Sequence, residues 1–212
     1  MLSLLLMLGV AGLFGQGYWS AVRDSPVLAH EADRLISNGQ SAEALGPGRI
    51  GQLLLVEDPT FWTNNGIDLR SPGAGFTTLT QGLSKKVGFR EFKPGWRKFR
   101  LMGFAFGLDS QLSKDQILAL YLHHAGMGRD RSGRWMEGFF TASERIYGKP
   151  PASLTEREFL TLVAVGIAPS RLRLAAPSPE LIERVDRIER LVHGRCRPDG
   201  VRDVELVGCK AG

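Results

Sequence analysis

The chain has 212 residues, with 27 Lys and Arg against 22 Asp and Glu and a formal net charge of +5. That length allows one well-buried core plus a short appendage, which excludes an assembly of several large domains. The basic balance, with a pI near 9.5, suits work beside anionic lipid headgroups or a pyrophosphate; nucleic acid is disfavoured because zinc-ligand spacing, an RNP-like aromatic motif and a basic heptad helix are all missing.

From Leu2 to Val22 no residue is charged, and Leu4 to Phe14 is close to continuous hydrocarbon. A helix of that length, at ~1.5 Å per residue, spans a hydrocarbon core of about 30 Å. Residues 1–22 are therefore expected to form a transmembrane anchor, with Tyr18 and Trp19 at the headgroups and Arg23 and Asp24 in water. A cleaved signal peptide is the competing reading, but the basic n-region and an Ala-x-Ala site are lacking. A buried core helix is disfavoured by length and terminal position. No Lys or Arg precedes the segment, so charge leaves its orientation open.

Beyond the anchor, Ser25-Pro26 is expected to open an amphipathic helix through Leu28, Ala32, Leu35 and Ile36 that ends near Asn38-Gly39. After a Pro47-Gly48 turn, the apolar run Ile50 to Val56 delivers Glu57 to its end. Gly and Pro make residues 66–75 a loop. A short helix is predicted over Thr77 to Lys86, and a longer one from Arg97 to Leu108 with an apolar stripe at Leu101, Phe104, Ala105 and Leu108. Ser113-Lys114-Asp115-Gln116 has the form of a capping box and starts a helix through Ile117, Leu118, Tyr121 and Leu122. Ser153-Leu154-Thr155-Glu156 repeats the device, and Ser178-Pro179 opens a last helix to about His193. The domain is thus predominantly helical; the one strand candidate is Val201 to Val207 in the tail.

Cys196 and Cys209 flank a Pro-Asp-Gly turn, so a disulfide hairpin and two free thiols are both open, and a metal site is disfavoured for want of zinc-spaced partners. His123 and His124 are adjacent on a helix, where side chains diverge by about 100°, so no shared metal ion is expected there.

Four short motifs carry the chemistry: Glu57-Asp58-Pro59-Thr60-Phe61, Gly75 through Lys85, Trp96 through Leu101, and Lys114 through His123. Their order and spacing resemble the peptidoglycan glycosyltransferases of family 51, the sugar-polymerising modules of class A penicillin-binding proteins and their monofunctional relatives. In the first motif Glu57, Asp58, Phe61 and Gly66 match, with Asn64 in place of a His. The second keeps Gly75, Thr77 for Ser, Thr78, Thr80, Gln81, Leu83 and Lys85. The third, Arg-Lys-x-x-Glu, keeps Arg97 and Lys98 but has Leu101 at the Glu. The fourth keeps Lys114, Ile117, Leu118 and Tyr121, mostly as scaffold, with His123 for Asn. Weaker matches run on through Lys149, Pro169 and Arg187, so the similarity covers about residues 48–193; between Asp68 and Gly75 the chain is shorter than the family usually is.

The resemblance implies a mainly α, lysozyme-like transglycosylase domain over residues 23–195, followed by a 196–212 tail. It implies processive, inverting transfer from a lipid II-type polyprenyl-pyrophosphate disaccharide outside the bacterial inner membrane, by a single-pass protein with its domain on the periplasmic side. Joining a sugar hydroxyl to an anomeric carbon needs a carboxylate to take a proton and cations to meet the departing pyrophosphate. Glu57 is the implied base and Lys85 and Arg97 the implied pyrophosphate cations; Thr78 and Gln81 would position the donor, and Asp58, Thr77 and Lys98 complete the substrate-binding set. No cofactor is implied, beyond room for a divalent cation at the pyrophosphate. Cell-wall synthesis proteins are the expected partners. With Leu101 at the second acid, the alternative is a catalytically impaired relative that binds lipid II or such a partner.

Overall fold

The computed structural model describes residues 2–93 and 95–210, almost all of whose regular structure is helical. Among the described residues eight α-helices follow in order: α1 (Leu2–Ser37), α2 (Arg49–Glu57), α3 (Leu79–Val87), α4 (Arg97–Gln111), α5 (Lys114–His124), α6 (Phe139–Tyr147), α7 (Glu156–Val165) and α8 (Pro179–Val192). A two-stranded antiparallel hairpin, β1 (Gly126–Arg129) and β2 (Trp135–Glu137), sits between α5 and α6, with Gly126 opposite Glu137.

Two apolar cores share α2 and α5 as their common wall. One packs α1, α3 and α4 against Ile117 to Leu120 of α5; the other packs the hairpin and α6, α7 and α8 against Leu122. Leu54 of α2 faces the first, while Leu53 and Val56 face the second. The last residue of α2, Glu57, and Tyr121 of α5 therefore stand at the seam between the cores.

The expected helix start at Ser25-Pro26 is corrected: α1 is one helix from Leu2 to Ser37 with Pro26 inside it. A proline there leaves the carbonyl four residues back without its usual donor. That carbonyl belongs to Val22, and the Ser25 hydroxyl donates to it at 2.9 Å, so the chain continues as helix where Pro alone would break it. By length and composition α1 is able to cross a membrane. From Phe14 onward it also packs on α4 at backbone distance: a Cβ on Gly17 would lie 2.0 Å from the Arg100 carbonyl oxygen, and one on Gly103 would lie 2.0 Å from that of Phe14.

The capping box at Ser113 forms as read, with Gln116 returning to the Ser113 amide. The second box is displaced: Thr155 caps α7 and Glu158 closes the box. Residues Pro151–Ser153 form a 3-10 turn and Leu154 is extended, so the helix cannot begin at Ser153. The strand expected over Val201 to Val207 is also corrected. Asp203 gathers the amides of Asp199, Val207 and Gly208 at 2.9, 2.6 and 2.9 Å, which curls the segment instead of extending it. The real strands were hidden by Gly126 and Gly128, residues with weak strand preference. Cys196 and Cys209 are disulfide-bonded.

Candidate active site

The seam between the cores opens into a cavity of about 400 Å³. Its floor is Glu57, its sides are the 73–78 loop and α3, and Tyr121, Gly166, Pro169, Arg184 and Val204 complete it. Glu57 arrives there because α2 is a single short amphipathic helix that begins just after Gly48 and terminates at this residue. Burial pushes its pKa up; the facing Arg184 guanidinium holds it down, Asp58 pushes it up again, and a hydrogen bond from Tyr121 favours the charged form. The Tyr121 phenol is lifted well above its ordinary range by burial and by Glu57 and Asp58, so it stays a neutral donor. A carboxylate enclosed in this way, with one phenol and one guanidinium aimed at it, has the environment of a general base.

Glu57 is the one carboxylate among the described residues lining the cavity, whereas three cations do so: Lys85, Lys86 and Arg184. Burial lowers the pKa of Lys85, whose ammonium also lies 5.6 Å from the Phe92 ring centre. Arg184 is nearly inaccessible and donates to the Ala164 carbonyl at 3.1 Å and the Val204 carbonyl at 2.9 Å. Lys86 has Glu137 4.0 Å away at the rim.

Of the residues expected from the sequence, Glu57, Thr77, Thr78 and Lys85 line the cavity, whereas Asp58, Gln81, Arg97 and Lys98 do not. Asp58 is buried behind the wall, accepting from the Leu79 amide at 3.0 Å and from the Asn64 side chain at 2.8 Å. It ties the first motif to the start of α3. Thr78 caps α3 through Gln81 N and donates to the Gly66 carbonyl at 2.8 Å. Gln81 is fully buried and accepts from Lys98, whose ammonium also reaches the Phe76 carbonyl at 2.9 Å and the Thr77 hydroxyl at 3.3 Å. Lys98 thus grips the loop from behind, and burial with the nearby Lys85 draws its pKa down to about 8. Arg97 is exposed at the first turn of α4, outside the cavity.

Leu101 is fully buried on α4. Asp109 does not replace the missing acid, since Lys114 holds it at 2.6 Å. Sequence reasoning missed Arg184, Lys86 and Val204 and treated Tyr121 as scaffold. One signal was there for Arg184: it lies on the apolar stripe of α8 with Leu181, Val185 and Ile188, where an arginine calls for a buried partner.

His123 and His124 lie closer than helix geometry alone suggests. Their rings are 4.9 Å apart, and with Glu31 of α1 their ligand atoms all fall within 4.8 Å of one another. Glu31 lies 3.0 Å from His124, and Gln40, just beyond α1, lies 3.3 Å from His123, so polar contacts tie the two rings to α1 and the turn that follows it.

A family model described as Transglycosylase matches residues 70–193. Penicillin-binding protein 1B of Buchnera aphidicola subsp. Baizongia pistaciae is 33% identical over 129 residues, 55% of this chain and 17% of that protein. The biosynthetic peptidoglycan transglycosylase of Pectobacterium carotovorum subsp. carotovorum is 29% identical over 161 residues, covering 70% of this chain and 64% of the relative. That of Rhodospirillum centenum is 27% identical over 163 residues, covering 70% and 67%. The chain therefore spans under a fifth of the Buchnera protein and about two thirds of the two transglycosylases.

Proposed function

This chain belongs to the transglycosylase family, and from that premise we propose that its cavity binds a lipid II-type polyprenyl-pyrophosphate disaccharide and supports glycosyl transfer onto a second sugar, building peptidoglycan strands. The observation that carries the reading is Glu57, a half-buried carboxylate with a raised pKa at the floor of a cavity whose other charged groups, among the described residues, are cationic. In the attack, Glu57 takes the proton of the acceptor hydroxyl while Tyr121 and Arg184 keep the carboxylate oriented. Lys85 and Lys86 meet the charge growing on the departing pyrophosphate, with Thr77 offering a neutral hydrogen bond. No cofactor enters this scheme; a divalent cation arriving with the pyrophosphate would find Glu57 as the lining carboxylate. The apolar α1, able by length and composition to cross a membrane, supports a reaction at a bilayer surface, and lipid-linked substrate fits the outer face of a bacterial inner membrane, with cell-wall synthesis proteins as neighbours.

A second reading, a relative that binds the lipid-linked sugar without turning it over, is favoured by two observations: among the described residues a single carboxylate lines the cavity, and Leu101, at the place of the second acid, is fully buried. Polymer formation from lipid II by purified full-length protein, set beside lipid II binding, separates the two. Transfer should fall ~10² to 10⁴-fold in Glu57→Gln with the fold retained. Equal rates in the variant and the parent would remove Glu57 from the reaction, and tight binding without polymer would establish the second reading.

A further inference from the structure

The tail after α8 folds back along the loop that brings Gly75, Phe76 and Thr77 to the cavity. The Gly73 amide donates to the Gly200 carbonyl at 3.0 Å and the Gly75 amide to the Val201 carbonyl at 2.9 Å. Side chains of the tail pack closely on the two glycines: a Cβ on Gly73 would sit 2.7 Å from the Pro198 ring, and one on Gly75 would sit 2.7 Å from a Val204 methyl. Val204 itself lines the cavity, and the Arg202 guanidinium lies over the Phe76 ring, 5.8 Å from its centre.

On its other side the tail is held by α8. Arg184, Arg187 and Arg190, spaced three apart on one helix face, donate to the carbonyls of Val204, Glu205 and Cys209 at 2.9, 2.7 and 2.6 Å. The bond between Cys196 at the foot of α8 and the buried Cys209 closes the segment on itself. One of these arginines, Arg184, is the group that faces Glu57.

We propose that the disulfide-closed tail, residues 196–209, is a wall of the substrate cavity: it fixes the 73–77 loop and Arg184 where a lipid-linked pyrophosphate sugar is bound. The inference rests on the reading of the cavity given above. The loop is short and turns through glycines at positive φ, 79° at Gly73 and 68° at Gly75, so its own backbone does little to hold it in place. Lys98 fastens it from the α4 side; the tail fastens it from the α8 side. Breaking the bridge frees the second of these, and the ends of the tail can then drift from the arginines that order them.

The test uses full-length protein in detergent micelles as oxidised parent, as parent reduced with a phosphine, and as the Cys196→Ser, Cys209→Ser double variant. Amide exchange of the peptide covering residues 73–77 should quicken on the order of tenfold in the last two, with α5 and α7 still protected. Lipid II affinity should weaken by about as much, roughly tenfold. Val204→Ala, which keeps the bridge and the backbone hydrogen bonds, should leave loop exchange unchanged and weaken lipid II binding severalfold. Unchanged loop exchange on reduction would overturn the proposal. So would exchange that quickens equally in every helix, because the bridge would then only stabilise the fold. Should the oxidised parent bind no lipid II, the functional reading fails, and loop exchange still decides whether the tail positions the loop.

Discussion

Burial lifts the Asp58 carboxyl to about 6 from an ordinary 3.8, although the Leu79 amide and the Asn64 side chain both donate to its charged form. A folded-state pKa above the unfolded one means that the native protein holds this proton more tightly. The associated stability is fully present below about pH 4 and is lost as pH rises through 6. A two-unit shift corresponds to on the order of 2–3 kcal/mol. Denaturant titrations of the parent should therefore show stability falling between pH 4 and 6, and Asp58→Asn, which can still accept from Leu79, should flatten that fall. An unchanged slope in the variant would show that Asp58 does not titrate there. Asp68 works in the opposite sense and in a different window: hydrogen bonds from Ser71, Thr60 and the Arg70 amide outweigh burial and bring it to about 2, so its contribution disappears below about pH 4. Leu101 raises the converse question of a carboxylate that is absent. Leu101→Glu would put a charge at a fully buried position, three residues along α4 from Lys98. Stability should drop by several kcal/mol. If the lost acid is what limits turnover, polymer formation should rise above the parent's, on the order of 10²-fold by analogy with removing a preorganised polar group. A stable variant with no gain in polymer would show that Leu101 is not where the activity was lost. At this scale the sequence revealed Glu57 and Lys85, because short motifs contain them. It concealed Arg184, whose partner Glu57 is far off in sequence and meets it only through the packing of α8.

Among the elements, those whose ends are fixed by local chemistry were readable. The Ser113 box, the Ser178-Pro179 start and the arrival of α2 at Glu57 each depend on a few adjacent residues. The continuity of α1 was not, because it depends on the Ser25 hydroxyl replacing the donor that Pro26 lacks. Nor was the tail: the turn between the cysteines left a disulfide and two free thiols equally open, and its place along the 73–77 loop depends on long-range contacts. The α1–α4 pairing is of the same long-range kind. Gly103 and Gly107 of α4 receive Phe14, Tyr18 and Ala21 of α1, and Gly17 receives Arg100. Gly103→Val should force the helices apart. Overpacking of this sort costs typically 1–3 kcal/mol, and more where the obstacle is backbone, as it is here. Gly12→Ala provides the control, since nothing lies within 4 Å of a Cβ there. Denaturation midpoints that move equally for the two variants would contradict the close pairing.

For the whole molecule, the packing of α1 on α4 and a crossing of a membrane by α1 would compete for the same residues. Contacts advance together along both helices, Phe14 with Gly103 and Ala21 with Gly107, so α1 and α4 run in the same direction and the start of α4 points toward the apolar end of α1. Arg97, Lys98 and Arg100 therefore lie toward the level at which Leu5 to Leu8 stand exposed. If all of residues 1–22 were in hydrocarbon, these cations would be drawn in beside them, at a cost of about 2.5–3.5 kcal/mol each on insertion scales. With the headgroups at the start of α4 that cost would be avoided, and the exposed Trp96 would stand at the interface in the place expected for Trp19. The part of α1 ahead of Phe14 then supplies ~18 Å of helix at ~1.5 Å per residue. Two deletions separate membrane contact from packing. Removing residues 2–13 should weaken membrane association and leave a domain that unfolds cooperatively. Removing residues 2–22 also takes away Phe14, Gly17, Tyr18 and Ala21, lays bare the glycine face of α4, and should abolish the cooperative transition or leave the protein insoluble. Equal stability of the two truncated proteins would show that residues 14–22 serve the membrane alone.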